Sequence, residues 1–193
     1  MIVGVLLTAG ESSRMGRAKA LLPFGRRTFS RSVVAAMRAA GLKQILVVVG
    51  HDPGPVIAHV CDLGIRFVYN RRWPLGQITS LQAAIRACPR SAGGLLVTLV
   101  DQPGIRPSTI RQMAAEHRRR PRHILVASFR RRAGHPVVFP WRFFRDLLTA
   151  PPEEGARAVL RRRSSARDFV AVMDPAVVRD VDTRRQYSLL VAR

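Results

Sequence analysis

Cysteine is scarce in this chain: Cys61 and Cys88 are the two in 193 residues. They form no CxxC pair and have no histidine pair at ligand spacing. A disulfide framework and a zinc site are therefore not expected, and both cysteines read as buried free thiols. No apolar run reaches the roughly 18 residues that a membrane span needs. No basic stretch precedes the opening apolar segment, which argues against a signal peptide and makes the cytoplasm the expected location. Aromatic residues make up 6% of the chain. They are not interleaved with the basic ones in the way a stacking platform for single-stranded nucleic acid requires. The Walker A pattern and the dinucleotide fingerprint G-x-G-x-x-G are both missing, which excludes the two commonest phosphate-binding loops.

Acidic side chains are also few, 12 against 33 basic ones, for a net charge of +21. All the basic residues except Lys19 and Lys43 are arginine. So even a bias looks like a genome-wide composition preference. Clusters such as Arg118–Arg120, Arg130–Arg132 and Arg161–Arg163 read as solvated helix ends or loops. A non-catalytic anion- or nucleic-acid-binding protein stays as the rival reading from a different class. The same bias singles out Lys19: where arginine is the default cation, a compact ammonium on a flexible stem has been kept.

Hydrophobic residues are 47% of the chain, and its length suits one domain, residues 1–193, with a sizeable core. Apolar runs alternate with helix-period segments. Strands are expected at Ile2–Leu7, Ile45–Val49, Ile65–Tyr69, Leu95–Val100, Ile124–Ser128, Pro136–Phe139 and Phe169–Met173. Helices are expected at Thr28–Ala40 with Gly41 as the stop, Val56–Asp62, Thr79–Ala87, Ser108–His117 with Ser108 as N-cap, Trp141–Thr149 and Ala156–Arg163. This alternation predicts an α/β fold, a mostly parallel sheet with helices on both faces. Ligands of such sheets sit at the carboxyl ends of strands, where strand order switches. The distinctive loops follow Leu7, Val49, Tyr69 and Val100, so they can converge on one edge.

The first of those loops is the most specific. Strand Ile2–Leu7 runs into Thr8-Ala9-Gly10-Glu11-Ser12-Ser13-Arg14-Met15-Gly16, followed by Lys19 and Leu21-Leu22-Pro23-Phe24-Gly25. Small residues let a phosphate chain approach the backbone, and the N–H groups and cations face an anion. The pattern L-x-A-G-x-S-x-R-M-G-x-x-K-x-L-L-P-x-x-G resembles the signature of the nucleotidyltransferases that act on molybdenum cofactor. Thr8 departs from the usual alanine. A second constellation is Asp101-Gln102-Pro103, a carboxylate at the mouth of a buried strand that suits Mg²⁺. The D-x-D-T segment ending at Asp182-Thr183 is similar to one that closes the family. Here Arg184-Arg185-Gln186 stands in place of P-E-D, so Asp182 reads as a second metal ligand or as a cap.

A third stretch, Asn70 to Leu81, is similar to the family's N-x-x-W-x-x-G-x-x-x-S-L. Asn70 can bond a base or ribose, Gly76 can let a ligand pass close, and Ser80 can receive a phosphate or hydroxyl at a helix start. Trp73 stacks on a flat ring or anchors the core. The fourth, Gly134-His135-Pro136, resembles the branch that uses CTP. His135 contacts the second substrate's phosphate or pterin, or bonds a loop carbonyl. His51 follows a strand as in the family and reads as structural, and Arg157 binds an anion or lies on a helix face.

The resemblance spans Ile2 to about Tyr187 and implies a single Rossmann-like nucleotidyltransferase domain. The implied reaction is transfer of CMP from CTP to molybdenum cofactor, giving molybdopterin cytosine dinucleotide and pyrophosphate. The implied catalytic residues are Arg14, Lys19 and Asp101, with Mg²⁺ on Asp101 and Asp182. Leu7, Thr8, Ala9, Gly10, Ser12, Ser13, Arg14, Lys19, Asn70, Gly76 and Ser80 bind nucleotide, and Gln102, His135 and Trp73 bind the acceptor. A molybdoenzyme or its chaperone is the implied protein partner. Ala9, where guanylyl relatives carry glycine, narrows the base pocket and favours a pyrimidine. Alternatives are a guanylyltransferase of the same family and transfer to another phosphorylated acceptor.

Overall fold

The computed structural model describes residues 1–11 and 15–192. In chain order the elements are β1 (Ile2–Leu7), a hairpin of β2 (Pro23–Phe24) and β3 (Arg27–Thr28), α1 (Phe29–Ala39), β4 (Ile45–Val49), α2 (Pro53–Val60), β5 (Arg66–Tyr69), α3 (Gln77–Ala87), β6 (Gly94–Leu99), α4 (Pro107–Arg119), β7 (Ile124–Phe129), β8 (Arg132–Pro140), α5 (Phe144–Leu148), α6 (Gly155–Arg162), β9 (Arg167–Ala171) and α7 (Arg184–Val191). Seven of the strands form one sheet in the order β5-β4-β1-β6-β8-β7-β9. The pairs β1–β4, β1–β6, β4–β5 and β7–β9 are parallel, and β8 runs antiparallel to both β6 and β7. No helix among the described residues is long and apolar enough to cross a membrane.

Because the inner strands are covered on both faces, most of their side chains are apolar on both sides, with Thr98 of β6 a buried exception. Val3, Val5 and Leu7 of β1 face a core completed by Ile78, Leu81 and Ile85 of α3, with Leu147 of α5 and Val159 of α6. Leu6 faces the opposite core, with Val33 and Met37 of α1, Val56 of α2, and Ile110 and Met113 of α4. A third cluster lies beyond the strand ends. Met15, Leu22, Phe29 and Val181 pack there with Tyr187 and Leu190. Two fixed letters of the loop pattern, Met15 and Leu22, are thus anchors that tie the loop after β1 to the C-terminal segment.

Several expectations are corrected. The strand expected at Pro136–Phe139 starts four residues earlier, as β8 from Arg132 to Pro140. The turn before it is two arginines, Arg130 and Arg131, with φ of 48° and 64°, as the tightest hairpin demands. The usual signal is Asn-Gly or Asp-Gly, so the sequence hid it. Ser108 is not an N-cap: α4 begins at Pro107, and the Asp174 carboxylate accepts from Arg106 N at 2.9 Å and Thr109 Oγ1 at 2.7 Å instead. Helix α7 was not foreseen, although Thr183 and Gln186 form a reciprocal capping box, a pattern legible as T-x-x-Q. Cys61 is exposed and Cys88 half-buried against the edge of a core, because each lies at the end of a helix.

Gly134 lets a segment cross the sheet. A Cβ there would overlap the Val177 carbonyl, so Gly134 allows the turn at Pro175–Val178 to lie directly on β8. Gly134→Ala is expected to destabilise the fold by about 3 kcal/mol, the upper range for overpacking. Urea unfolding checks this, and a loss below about 0.5 kcal/mol would mean that the turn is not held against β8.

Candidate active site

Strand register sets the site. Leu7 stands level with Val48 of β4 and Leu99 of β6, and Val49 with Tyr69 of β5. The loops after these four strands therefore start on one edge. The chain goes from β1 to β4 and β5 on one side, then to β6 on the other, so the switch point lies between β1 and β6. A cleft of about 340 Å³ opens there, lined by Leu7, Thr8, Ala9, Gly10, Lys19, Trp73, Gly76, Ser80, Asp101 and Asp182 among others.

The loop after β1 is pinned to the end of β4. Thr8 donates from its backbone N (2.9 Å) and its Oγ1 (2.8 Å) to the Val48 carbonyl, and His51 N donates to the Ala9 carbonyl at 3.1 Å. The Thr8 hydroxyl is thus committed to the sheet. Gly50 permits the approach: a Cβ there would lie 2.8 Å from Ala9 Cβ and 2.7 Å from Trp73 Cβ. Gly10 has no neighbour near its missing Cβ and faces open cleft. Gly16 and Gly25 hold φ of 70° and 57°, conformations that favour glycine. Ser12, Ser13 and Arg14 lie outside the described residues.

Lys19 is the hub. Its Nζ lies 2.5 Å from Asp182 Oδ1 and 3.6 Å from Asp101 Oδ2. Asp101 Oδ1 is buried with no hydrogen-bond partner among the described residues. Desolvation pushes the Asp101 pKa up from 3.8 to about 6, with Lys19 opposing and Asp180 and Asp182 reinforcing the rise. Two carboxylates with one orphaned buried oxygen fit a hard cation such as Mg²⁺, which needs one or two protein carboxylates and keeps several waters. Among the described residues no group of three or more His, Cys, Asp or Glu forms a protein-only cage.

Asn70 does not line this cleft. It is 4% exposed. Its Nδ2 donates to Thr79 Oγ1 at 2.9 Å and Ser80 Oγ at 3.0 Å, and its Oδ1 accepts from Arg72 N at 3.0 Å. Its amide is thus spent on protein partners, one of which is Ser80 of the cleft lining. Gly76 has φ of 102° and precedes α3, so Gly76, Gln77 and Ser80 bring the first turn of a helix to the cleft, a ready anion site. Trp73 also lines this cleft and packs edge-on against His51, ring centroids 5.0 Å apart. Gln102 and His135, grouped with it as acceptor residues, line a different cleft.

Those two residues line a second cleft of about 590 Å³ with Arg132, Arg157 and Asp180, over a wall that includes Val137 and Phe139. The two clefts share Leu7, Gln77 and Leu99. Desolvation lowers the His135 pKa to about 4, with Asp180 opposing and Arg157 assisting, so the ring is neutral at pH 7. Asp180, the first carboxylate of the D-x-D-T segment, was given no role of its own in the sequence reading; the crossing at Gly134 brings it here, where it accepts from Gln102 Nε2 at 2.6 Å.

The arginine clusters do not share one place. Arg119 and Arg120 pair with Glu116, and Arg120 also with Asp168, ahead of β7. Arg130–Arg132 lie at its far end. Arg161 and Arg163 pair with Glu154 and Asp146.

A family model, the MobA-like NTP transferase domain, matches residues 4–167. The chain is 33% identical to nicotine blue oxidoreductase of Paenarthrobacter nicotinovorans over 98% of its own length and 96% of that protein's. It is 33% identical to a molybdenum cofactor guanylyltransferase of Xanthomonas euvesicatoria pv. vesicatoria over 61% of this chain and 56% of that one. Among solved structures, Rv0371c of Mycobacterium tuberculosis H37Rv superposes with a TM-score of 0.88 at 28% identity, over 100% of this chain and 98% of that chain. A further structure of Rv0371c, described as a complex with manganese, gives 0.78 at 27% identity over 99% and 98%.

The raised Asp101 pKa sets a pH dependence. Between pH about 4 and 6 the folded chain holds a proton that the unfolded chain has released, so stability falls as pH rises through that window and stays lower above it. Asp101→Asn is expected to raise stability at pH 7.5 by up to about 3 kcal/mol, with the gain shrinking below pH 6. Thermal unfolding across pH checks this; a variant less stable at pH 7.5 would contradict it.

Proposed function

The chain belongs to the MobA-like NTP transferase family, and on that premise we propose that it transfers CMP from CTP to the terminal phosphate of molybdenum cofactor, releasing pyrophosphate. The observation that carries the reading is the pair of contiguous clefts at the switch point. One is lined by the loop after β1, Lys19 and Asp101, the other by Gln102, His135 and Arg157. The first suits a nucleoside triphosphate and the second its acceptor. The shared Leu7, Gln77 and Leu99 leave the α-phosphorus facing the incoming phosphate.

The acceptor phosphate forms a new P–O bond to the α-phosphorus as the bond to pyrophosphate breaks. An ionised phosphate is already nucleophilic, so no general base is required. The protein's work is positioning and charge stabilisation. Backbone N–H groups around Ala9 and Gly10 cradle the triphosphate. Lys19, with Arg14 from the same loop, neutralises charge growing on pyrophosphate. Asp101 and Asp182 would hold a divalent ion, Mg²⁺ or Mn²⁺, which when bound supplies further charge neutralisation at the phosphates. Asp101 must be ionised to do so.

The base assignment rests on Ala9. It lines the first cleft and is 5% exposed, its methyl beside Gly50; the reading rests on the resemblance, in which guanylyl relatives carry glycine at this position. GTP is the second reading, favoured by the similarity to a guanylyltransferase. The oxidoreductase named among the relatives supplies a third, electron transfer; the absence of G-x-G-x-x-G weighs against a dinucleotide of the usual kind.

Pyrophosphate release with molybdenum cofactor and each nucleoside triphosphate tests the proposal. CTP with Mg²⁺ or Mn²⁺ is expected to exceed GTP by about 10-fold in kcat/KM, the low end of pocket-based discrimination. Lys19→Met is expected to lower kcat by about 10²–10³. A GTP preference would overturn the base assignment, and reductase turnover without pyrophosphate release from any nucleotide would overturn the reaction.

A further inference from the structure

A third groove, of about 660 Å³, borders the segment from Val178 to Asp182, and the transfer chemistry makes no use of it. Its volume lies within the range of roughly 300–1,000 Å³ usual for small-molecule sites. Three arginines line it: Arg106 from the loop before α4, Arg132 from the start of β8 and Arg179 from just after the Pro175–Val178 turn. All three are exposed. Among the described residues none of them has an ion-pair partner, and the side-chain bond of Arg106 goes to the Met173 carbonyl at 3.4 Å. Other arginines do pair, Arg120 with Glu116 and Asp168, and Arg163 with Asp146.

The groove also has three carboxylates, but each is already taken. Asp174 accepts from Arg106 N at 2.9 Å, Thr109 Oγ1 at 2.7 Å and Ala176 N at 3.1 Å. Asp180 accepts from Gln102 Nε2, and Asp182 is held by Lys19. The guanidinium groups are therefore left to an outside anion, and their planar forks match the paired oxygens of carboxylate and phosphate. Beside them lie Pro103, Val178 and Leu190, with Leu189 at 63% exposure. An exposed leucine next to unpaired cations suits a ligand with an apolar part as well as charge. A second copy of this chain is a poor occupant, because each copy carries +21.

We propose that this groove binds a small organic polyanion, an apolar frame carrying two or more negative charges as carboxylate or phosphate. Arg106, Arg132 and Arg179 take the charged groups, and Leu189 and Leu190 cover the frame. The groove is distinct from the transfer clefts yet touches both. Asp182 lines it and the first cleft; Arg132 and Asp180 line it and the second. A ligand here lies against the segment that carries both aspartates. The inference does not depend on which nucleotide or acceptor the clefts take.

Two pairs of probes test it, each titrated by calorimetry at fixed ionic strength. One pair is citrate and trimesate, the latter a benzene ring with three carboxylates. The other is inorganic phosphate and phenyl phosphate. In at least one pair the ringed probe is expected to bind about 3-fold more tightly, a modest apolar contribution. The pair that shows it distinguishes a carboxylate from a phosphate ligand. Arg106 and Arg179 line neither transfer cleft. Arg106→Gln and Arg179→Gln are each expected to weaken the ringed probe about 10-fold, the low end for a hydrogen bond to a charged group. Leu189→Gln is expected to remove the advantage of the ring. Equal binding within both pairs, or binding of neither ringed probe, would overturn the proposal. So would binding that Lys19→Met abolishes and both arginine variants leave intact, because the anion would then sit in the first cleft. Binding of an acidic Glu/Leu peptide but of neither ringed probe would mark a protein-docking surface instead. Should one arginine variant fail to fold, the other and the paired probes decide it.

Discussion

The ion cluster of Lys19 with Asp101 and Asp182 is the constraint on which the site depends. Lys19 comes from the loop after β1, Asp101 from the end of β6 and Asp182 from the segment before α7. Three remote parts of the chain thus meet at one ammonium. Such a cluster is a poor stabiliser, because desolvation offsets most of the attraction. The raised Asp101 pKa is the direct sign of that cost. Apolar packing of Met15, Leu22, Phe29 and Val181 just beyond it supplies the cohesion that the charges do not. The charges are then free to exchange partners when a cation and an anion arrive together, as a metal–nucleotide complex does.

Two close approaches convert the parallel sheet into a double cleft. At Gly50 the end of β4 comes up against Ala9 and Trp73, closing the wall beside the β1 loop. At Gly134 the turn at Pro175–Val178 crosses β8 and delivers Asp180 next to Gln102. The residue pair Asp101-Gln102 then divides its work: one side chain lines the first cleft and the next lines the second. Geometry that a single dipeptide spans is well suited to aligning two substrates.

Much of this was legible in the sequence, for physical reasons. Continuous apolar runs reveal strands buried on both faces, and loops that follow them fall on one edge by register alone. Lys19 stood out because it interrupts an arginine-only habit. What the sequence concealed depended on contacts between remote segments. Asn70 looks like a ligand residue, yet its amide is spent on Thr79, Ser80 and Arg72. Thr8 looks like a phosphate contact, yet its hydroxyl bonds β4. Asp180 opens the D-x-D-T segment, yet its carboxylate is turned to Gln102, and the Arg130-Arg131 turn uses residues that seldom take positive φ. Thr8 and Asp180 bond partners 40 and 78 residues away, Asn70 is spent on the helix start that follows it, and the two arginines take a backbone conformation that their identity does not advertise.

The most direct measurement is an anomalous difference map from crystals soaked with Mn²⁺ and CTP. The account predicts a manganese peak bonded to Asp101 and Asp182, with the triphosphate running along Ala9 and Gly10 and Lys19 turned from the carboxylates to phosphate oxygens. Nucleotide bound with no metal at Asp101, or with Lys19 still locked between the two carboxylates, would contradict it.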